Sequence, residues 1–184
     1  VGRTGSGKTT LADRLIRSMG YRTVVIDPKH SWEFPGYKLV EQYDPNPSVI
    51  RQVFRPRDDE QEEWKDSEEF LEQVWGYRIP TVVYVDELTR LSTPRRTIPI
   101  LADFVRLGRQ IGMGTWFASQ RPKDVPSLFL SEAEHWFVFD LRYDADRDKC
   151  VGFLGGNVAQ RISEPYAFWY SNPHEPDAFL VHQR

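Results

Sequence analysis

The sequence predicts an α/β sandwich with a mostly parallel central sheet. Three observations predict it. A Gly-rich loop, Gly2-Arg3-Thr4-Gly5-Ser6-Gly7-Lys8-Thr9, runs straight into a segment with helical spacing of apolar residues, Leu11, Leu15, Ile16 and Met19. Val82-Val83-Tyr84-Val85 is a continuous apolar run, the pattern of a parallel strand covered on both faces. Short β-branched or aromatic runs then alternate with longer helical patterns along the chain, without internal repeats.

The remaining elements follow in order. Residues 21–26 read as a buried strand ending at Asp27-Pro28, and 30–48, rich in Pro, Gly and aromatics, as irregular loop. Residues 50–54 are a candidate short strand. The acidic stretch 58–69 reads as a solvated helix surface, with Trp64, Leu71 and Trp75 on its opposite face. Residues 97–111 are expected to form a helix stopped by Gly112-Met113-Gly114. Residues 115–119 and 136–141 are expected strands, and 144–151 and 157–162 short helical pieces. Two β-like runs, 167–170 and 178–182, bracket Asn172-Pro173-His174-Glu175-Pro176 and predict a C-terminal hairpin.

Composition bounds the class. The 184 residues, 40% hydrophobic and 28% charged, suit one domain over 1–184 with a real core. Disordered, collagen-like and disulfide-scaffold chains are excluded. No apolar run reaches the roughly 18 residues of a membrane span. A formal charge of −3 argues against a protein that coats nucleic acid with a basic surface, so any polyanion must be gripped by local basic loops. The single Cys150 fits a reducing compartment, and no secretory leader is visible. Because the chain opens at Val1 inside a motif, the strand expected before the loop is largely missing, and the sequence reads as N-terminally truncated. His30, His135, His174 and His182 lack metal-ligand spacing, so no structural metal is expected. The six tryptophans read as core and loop anchors.

The Gly-rich loop matches G-x-x-x-x-G-K-[ST] in full. Gly2, Gly5 and Gly7 let the chain wrap tightly, so that backbone N–H groups of Thr4, Gly5, Ser6 and the first helical residues converge on phosphate oxygens. The following helix, entered through Lys8, Thr9 and Thr10, adds its positive end. Lys8 is the expected partner of the β- and γ-phosphates and Thr9 a ligand of Mg²⁺. Asp86 and Glu87 cap the apolar strand. The first suits a Mg²⁺ site and the second a general base for an attacking water. A small-molecule kinase has no use for such a base, so Glu87 favours hydrolysis. Trp116-Phe117-Ala118-Ser119-Gln120 is a strand ending in an amide that suits contact with both γ-phosphate and water. Asp27 and Lys29 end a strand at the same edge and either position the site or cap the loop.

The loop 2–9, Val25-Ile26-Asp27-Pro28-Lys29, Val85-Asp86-Glu87, and Leu107-Gly108-Arg109-Gln110-Ile111-Gly112-Met113-Gly114 running into Ala118-Ser119-Gln120-Arg121-Pro122 together resemble the FtsK–HerA superfamily of DNA-pumping ATPases. Size and layout look most like genome-packaging ATPases of tailless double-stranded DNA viruses and related mobile elements. The resemblance, over residues 1–143, implies a P-loop NTPase three-layer sandwich with ATP and Mg²⁺ as cofactors and double-stranded DNA as partner. It implies a homo-oligomeric ring, usually a hexamer, in which a neighbour supplies an arginine finger. Arg55 and Arg57 are the first candidates by position, then Arg106, Arg109 and Arg121. Arg90, Arg95 and Arg96, directly after the twin acids, are the expected DNA-contacting loop. The implied location is the cytoplasm of a host cell, or a virion or membrane reached through a capsid or membrane docking protein. Alternatives are a conjugation, chromosome-partitioning or filamentous-phage assembly ATPase, and, from other classes, a small-molecule phosphotransferase or a nucleotide-switched scaffold.

Overall fold

The computed structural model describes residues 1–182. The element order is α1 (Lys8–Met19), β1 (Thr23–Ile26), β2 (Lys38–Val40), β3 (Arg51–Phe54), α2 (Glu60–Tyr77), β4 (Val82–Val85), β5 (Ser92–Thr93), β6 (Arg96–Thr97), α3 (Pro99–Leu107), β7 (Gly114–Phe117), α4 (Ser127–Ser131), β8 (Trp136–Phe139), α5 (Asp144–Leu154), β9 (Phe168–Asn172) and β10 (Glu175–Val181). Five strands form a parallel sheet in the order β2-β3-β1-β4-β7. A second sheet, β10-β9-β8, is antiparallel and contains the expected C-terminal hairpin.

The first residues join the two sheets. Val1 N donates to Phe137 O at 2.6 Å and Phe139 N donates to Val1 O at 2.9 Å, the two-sided pattern of a parallel ladder. On the other side Gly2 N donates to Ser119 O at 3.1 Å, just past the end of β7. The phosphate-type loop therefore starts between β7 and β8, at the carboxyl edge where β4 also ends.

Alternation along the strands builds a core on each face of the parallel sheet. Val25, Val53 and Tyr84 face Ala12 and Ile16 of α1, with Trp32 from the following loop filling the same layer. Val24, Ile26, Val83 and Val85 face the other way, onto Phe70, Leu71 and Val74 of α2 and Leu101 and Phe104 of α3. Burial on both faces is why β1 and β4 read as unbroken apolar runs.

Several elements differ from the sequence expectation. The helix expected over 97–111 is α-helical only at Pro99–Leu107, then tightens into a 3₁₀ turn at Gly108–Ile111 before Gly112 turns the chain with φ of 74°. The expected loop 30–48 contains β2, a three-residue edge strand with Lys38 and Leu39 exposed, too short to give a strand pattern in the sequence. The helical piece expected at 157–162 is a 3₁₀ turn at Gly156–Ala159. The acidic run is not all solvated: Glu63 is 2% exposed, because Arg90 brings a partner charge into that layer. Asp59 caps α2 by accepting from Gln61 N and Glu62 N.

Candidate active site

Residues 2–10, the turn expected to bind phosphate, run directly into α1. Gly5 and Gly7 sit at φ of 73° and 98°, where a side chain is strained. Gly2 is needed for closeness: a Cβ there would lie 2.5 Å from Phe139 Cβ. Gly7 stands at the N-terminus of α1, beneath Tyr166. Lys8 folds back over the turn, its Nζ donating to Gly2 O at 2.7 Å and Arg3 O at 2.9 Å. Burial draws the Lys8 pKa down to about 8, partly offset by the negative charge of Glu87.

The acids of β4 meet this turn from below. Thr9 Oγ1 lies 3.5 Å from Asp86 Oδ1. Tyr84, on the same face of the strand, donates its hydroxyl to that oxygen at 3.0 Å. Burial raises the Asp86 pKa, opposed by Lys29 and by the Tyr84 hydrogen bond. A hard divalent cation such as Mg²⁺ takes oxygen ligands and keeps several waters, and the Thr9 hydroxyl with the Asp86 carboxylate is a fitting donor pair. Among the described residues, no group of three or more His, Cys, Asp or Glu is arranged to hold a metal by itself.

Glu87 is held from three sides. Lys29 Nζ donates to Oε2 at 2.8 Å, Thr89 Oγ1 to Oε1 at 2.7 Å and Gln120 N to Oε1 at 3.1 Å. Its backbone sits at φ of 83°, rare for a residue with a Cβ. Burial pushes the Glu87 pKa up, but Lys29, Thr89 and Gln120 together outweigh it and hold the carboxylate below the ordinary glutamate range. Gln120 reaches both sides of the site, since its Oε1 accepts from Thr4 Oγ1 at 2.6 Å.

The arginines are more dispersed. Arg55 is bound to the fully buried Asp27 at 3.0 Å and to Trp32 O at 2.9 Å. Arg57 pairs with Asp66 and Glu62 on α2. Arg109 pairs with Glu134, and Arg121 with the buried Asp146. Arg106 is exposed at the end of α3 and has no partner among the described residues. The expected DNA loop is a 3₁₀ turn, Leu88–Arg90, followed by the β5–β6 hairpin. Its base is anchored by Leu88, Leu91 and Ile98, each at most 1% exposed. Arg90 is turned inward onto Glu63 at 2.5 Å, and Arg96 lies over the Trp64 ring with its guanidinium 4.0 Å from the centroid. Arg95 alone of the three is exposed at the tip without a partner among the described residues.

Sequence reasoning missed Thr89 and Tyr84, which buttress the two acids, and Tyr166, which covers the turn from a distant loop. Thr89 lies two residues beyond Glu87 and Tyr84 two before Asp86, so side-chain reach along the strand end was the available signal. Tyr166 carried none.

The fold is that of the P-loop NTPases, an α/β sandwich around a parallel sheet. Its structural neighbours include the genome-packaging NTPase B204 of Sulfolobus turreted icosahedral virus 2, solved with AMPPCP. That match has a TM-score of 0.74 and 16% identity over 98% of this chain and 94% of that one. B204, the DNA-packaging ATPase from Sulfolobus turreted icosahedral virus, gives 0.65 and 14% over 98% and 95%. ATPases 2 and 3 of Thermomonospora curvata EccC, in complex with a signal sequence peptide, give 0.64 and 15% over 97% and 35%. At these identities the likeness is one of fold. No protein-family model and no curated protein sequence matches the chain. Among the described residues no helix is long and apolar enough to cross a membrane.

Proposed function

We propose that this chain is an ATP-hydrolysing motor domain that moves double-stranded DNA, in the manner of a viral genome-packaging ATPase. One observation carries the reading: the glycine turn, Thr9 with Asp86, and Glu87 with Gln120 converge at one sheet edge.

The backbone N–H groups of the turn and the α1 N-terminus bind the phosphates. Lys8 exchanges two carbonyl partners for the β- and γ-phosphate oxygens. Thr9 and Asp86 would hold Mg²⁺, which would neutralise charge on the triphosphate. Glu87 accepts a proton from the attacking water as its oxygen adds to the γ-phosphorus and the bond to the β–γ bridging oxygen breaks. Gln120, shared between Thr4 and Glu87, orients that water and reads the γ-phosphate. The domain works in a homo-oligomeric ring, where a neighbour's arginine adds positive charge to the transferring group. Arg55 and Arg57 serve only if they leave their carboxylates, whereas Arg106 needs no release. The β5–β6 hairpin, joined to Glu87 through one 3₁₀ turn, contacts backbone phosphates through Arg95, with Arg90 and Arg96 bracing it.

The test is phosphate release with and without duplex DNA, at several protein and salt concentrations. DNA stimulation that falls with salt supports the reading. Absence of phosphate release under any polymer, or appearance of a phosphorylated small acceptor, overturns it.

A further inference from the structure

Main-chain bonds fix the end of β7. Ala118 N donates to Val85 O at 2.9 Å, Leu88 N to Ala118 O at 2.8 Å and Gly2 N to Ser119 O at 3.1 Å. Gln120, the next residue, bonds to side chains instead. Its backbone N donates to Glu87 Oε1 at 3.1 Å, and its Oε1 accepts from Thr4 Oγ1 at 2.6 Å. An amide poised between two side chains holds its place only if the backbone that carries it is fixed on the far side as well.

The fixed point on that far side is Asp146. Its carboxylate is 1% exposed and lies in the first turn of α5, where the helix dipole favours negative charge. Arg121, directly after Gln120, donates from Nε to Asp146 Oδ2 at 2.9 Å. Lys123 N donates to Asp146 Oδ1 at 3.2 Å from the 3₁₀ turn Pro122–Asp124. The Arg121 guanidinium also lies over the Tyr143 ring, 4.6 Å from its centroid, at the residue that precedes α5. A carboxylate buried this deeply is costly unless a cation and a hydrogen-bond donor meet it, and both come from the segment that continues Gln120.

We infer that Asp146 is a positioning residue for hydrolysis: by gripping Arg121 and the backbone of Lys123 it sets where Gln120 stands between Thr4 and Glu87. The inference rests on the hydrolytic reading above and extends its site to a helix that touches neither the glycine turn's lysine nor the twin acids through this carboxylate. Arg121 then acts within its own chain, as the link between α5 and Gln120.

Steady-state phosphate release by the whole chain, ATP affinity by calorimetry and thermal melting together test it. Asp146→Asn keeps the shape of the side chain and removes its charge. It should lower kcat about tenfold, within the roughly hundredfold cost of a misplacement of about 1 Å, and leave ATP affinity within about twofold of wild type. Arg121→Ala breaks the same pair from its more exposed side and should do likewise, which decides the matter if the melts show that Asp146→Asn does not fold. In Gln120→Ala, itself slowed, adding Asp146→Asn should slow turnover no further, because a displaced amide and a missing one are equivalent. A purely structural role predicts the same slowing in both backgrounds. The inference is overturned, with the hydrolytic reading intact, if the folded variants turn over like wild type, if they lose ATP affinity as much as turnover, or if the slowing is equal with and without the Gln120 side chain. Absence of phosphate release from wild type removes the hydrolytic reading, and this inference with it.

Discussion

Lys29 Nζ lies 2.8 Å from Glu87 Oε2, tying the end of β1 to the end of β4 across one strand spacing. The residue assigned as general base is thereby clamped by a cation that lowers its proton affinity. A carboxylate gripped this way is a poor base until Lys29 lets go. Lys29→Ala should keep ATP binding, raise the basal phosphate-release rate and move the acid limb of the pH–rate profile upward. The sign follows from the pair: Glu87 is held below the ordinary range, so activity is lost only as pH falls through that lowered value, and removing the cation raises it. An unmoved acid limb in Lys29→Ala contradicts the clamp.

Glu87→Gln should leave nucleotide affinity near wild type and slow turnover by at least about a hundredfold, the scale of losing a general base. Single-turnover phosphate release measures it. Near-normal turnover would mean that another group activates water.

Burial draws the Lys8 pKa down to about 8, against the opposing negative charge of Glu87. A bound triphosphate raises that value, so binding takes up a proton between the two. Affinity should be flat below about pH 8 and fall above it, by up to about tenfold per pH unit. Lys8→Ala should bind poorly at every pH and lose this slope. A wild-type affinity constant from pH 7 to 9.5 would refute the assignment.

The hairpin arginines should separate. Arg95→Ala is expected to weaken DNA-stimulated hydrolysis and its salt dependence without changing thermal stability. Arg90→Ala strands the buried Glu63 and should lower stability by about 1–3 kcal/mol, discounted because Arg90 is partly exposed. Thermal melts beside stimulated rates distinguish the two. Equal DNA stimulation in Arg95→Ala would take the hairpin tip off the DNA path.

Gly2→Ala should cripple nucleotide binding even though the new side chain is a single methyl. Its Cβ would have to occupy space 2.5 Å from Phe139 Cβ, so the turn or β8 must shift. Calorimetric ATP affinity checks it, and wild-type affinity would mean that β8 yields freely.

The sequence by itself determined the α/β class and marked the glycine turn, the twin acids and Gln120 as the candidate site. Each is written in contiguous residues: Gly2 to Thr9 and Val82 to Glu87 carry their chemistry and their burial pattern in one short string. The tertiary structure alone decided which charges are spent and which are free. Lys29 meets Glu87 because β1 lies beside β4, Arg90 meets Glu63 because α2 packs over that edge, and Tyr166 covers Gly7 because the segment before β9 returns to the turn. Such pairs join residues far apart in the chain, and an ion pair or ring contact depends on distance in space. Nothing in the local string around Arg55 or Arg90 distinguishes an arginine bound to a buried carboxylate from one in water, whereas the folded sheet does so directly.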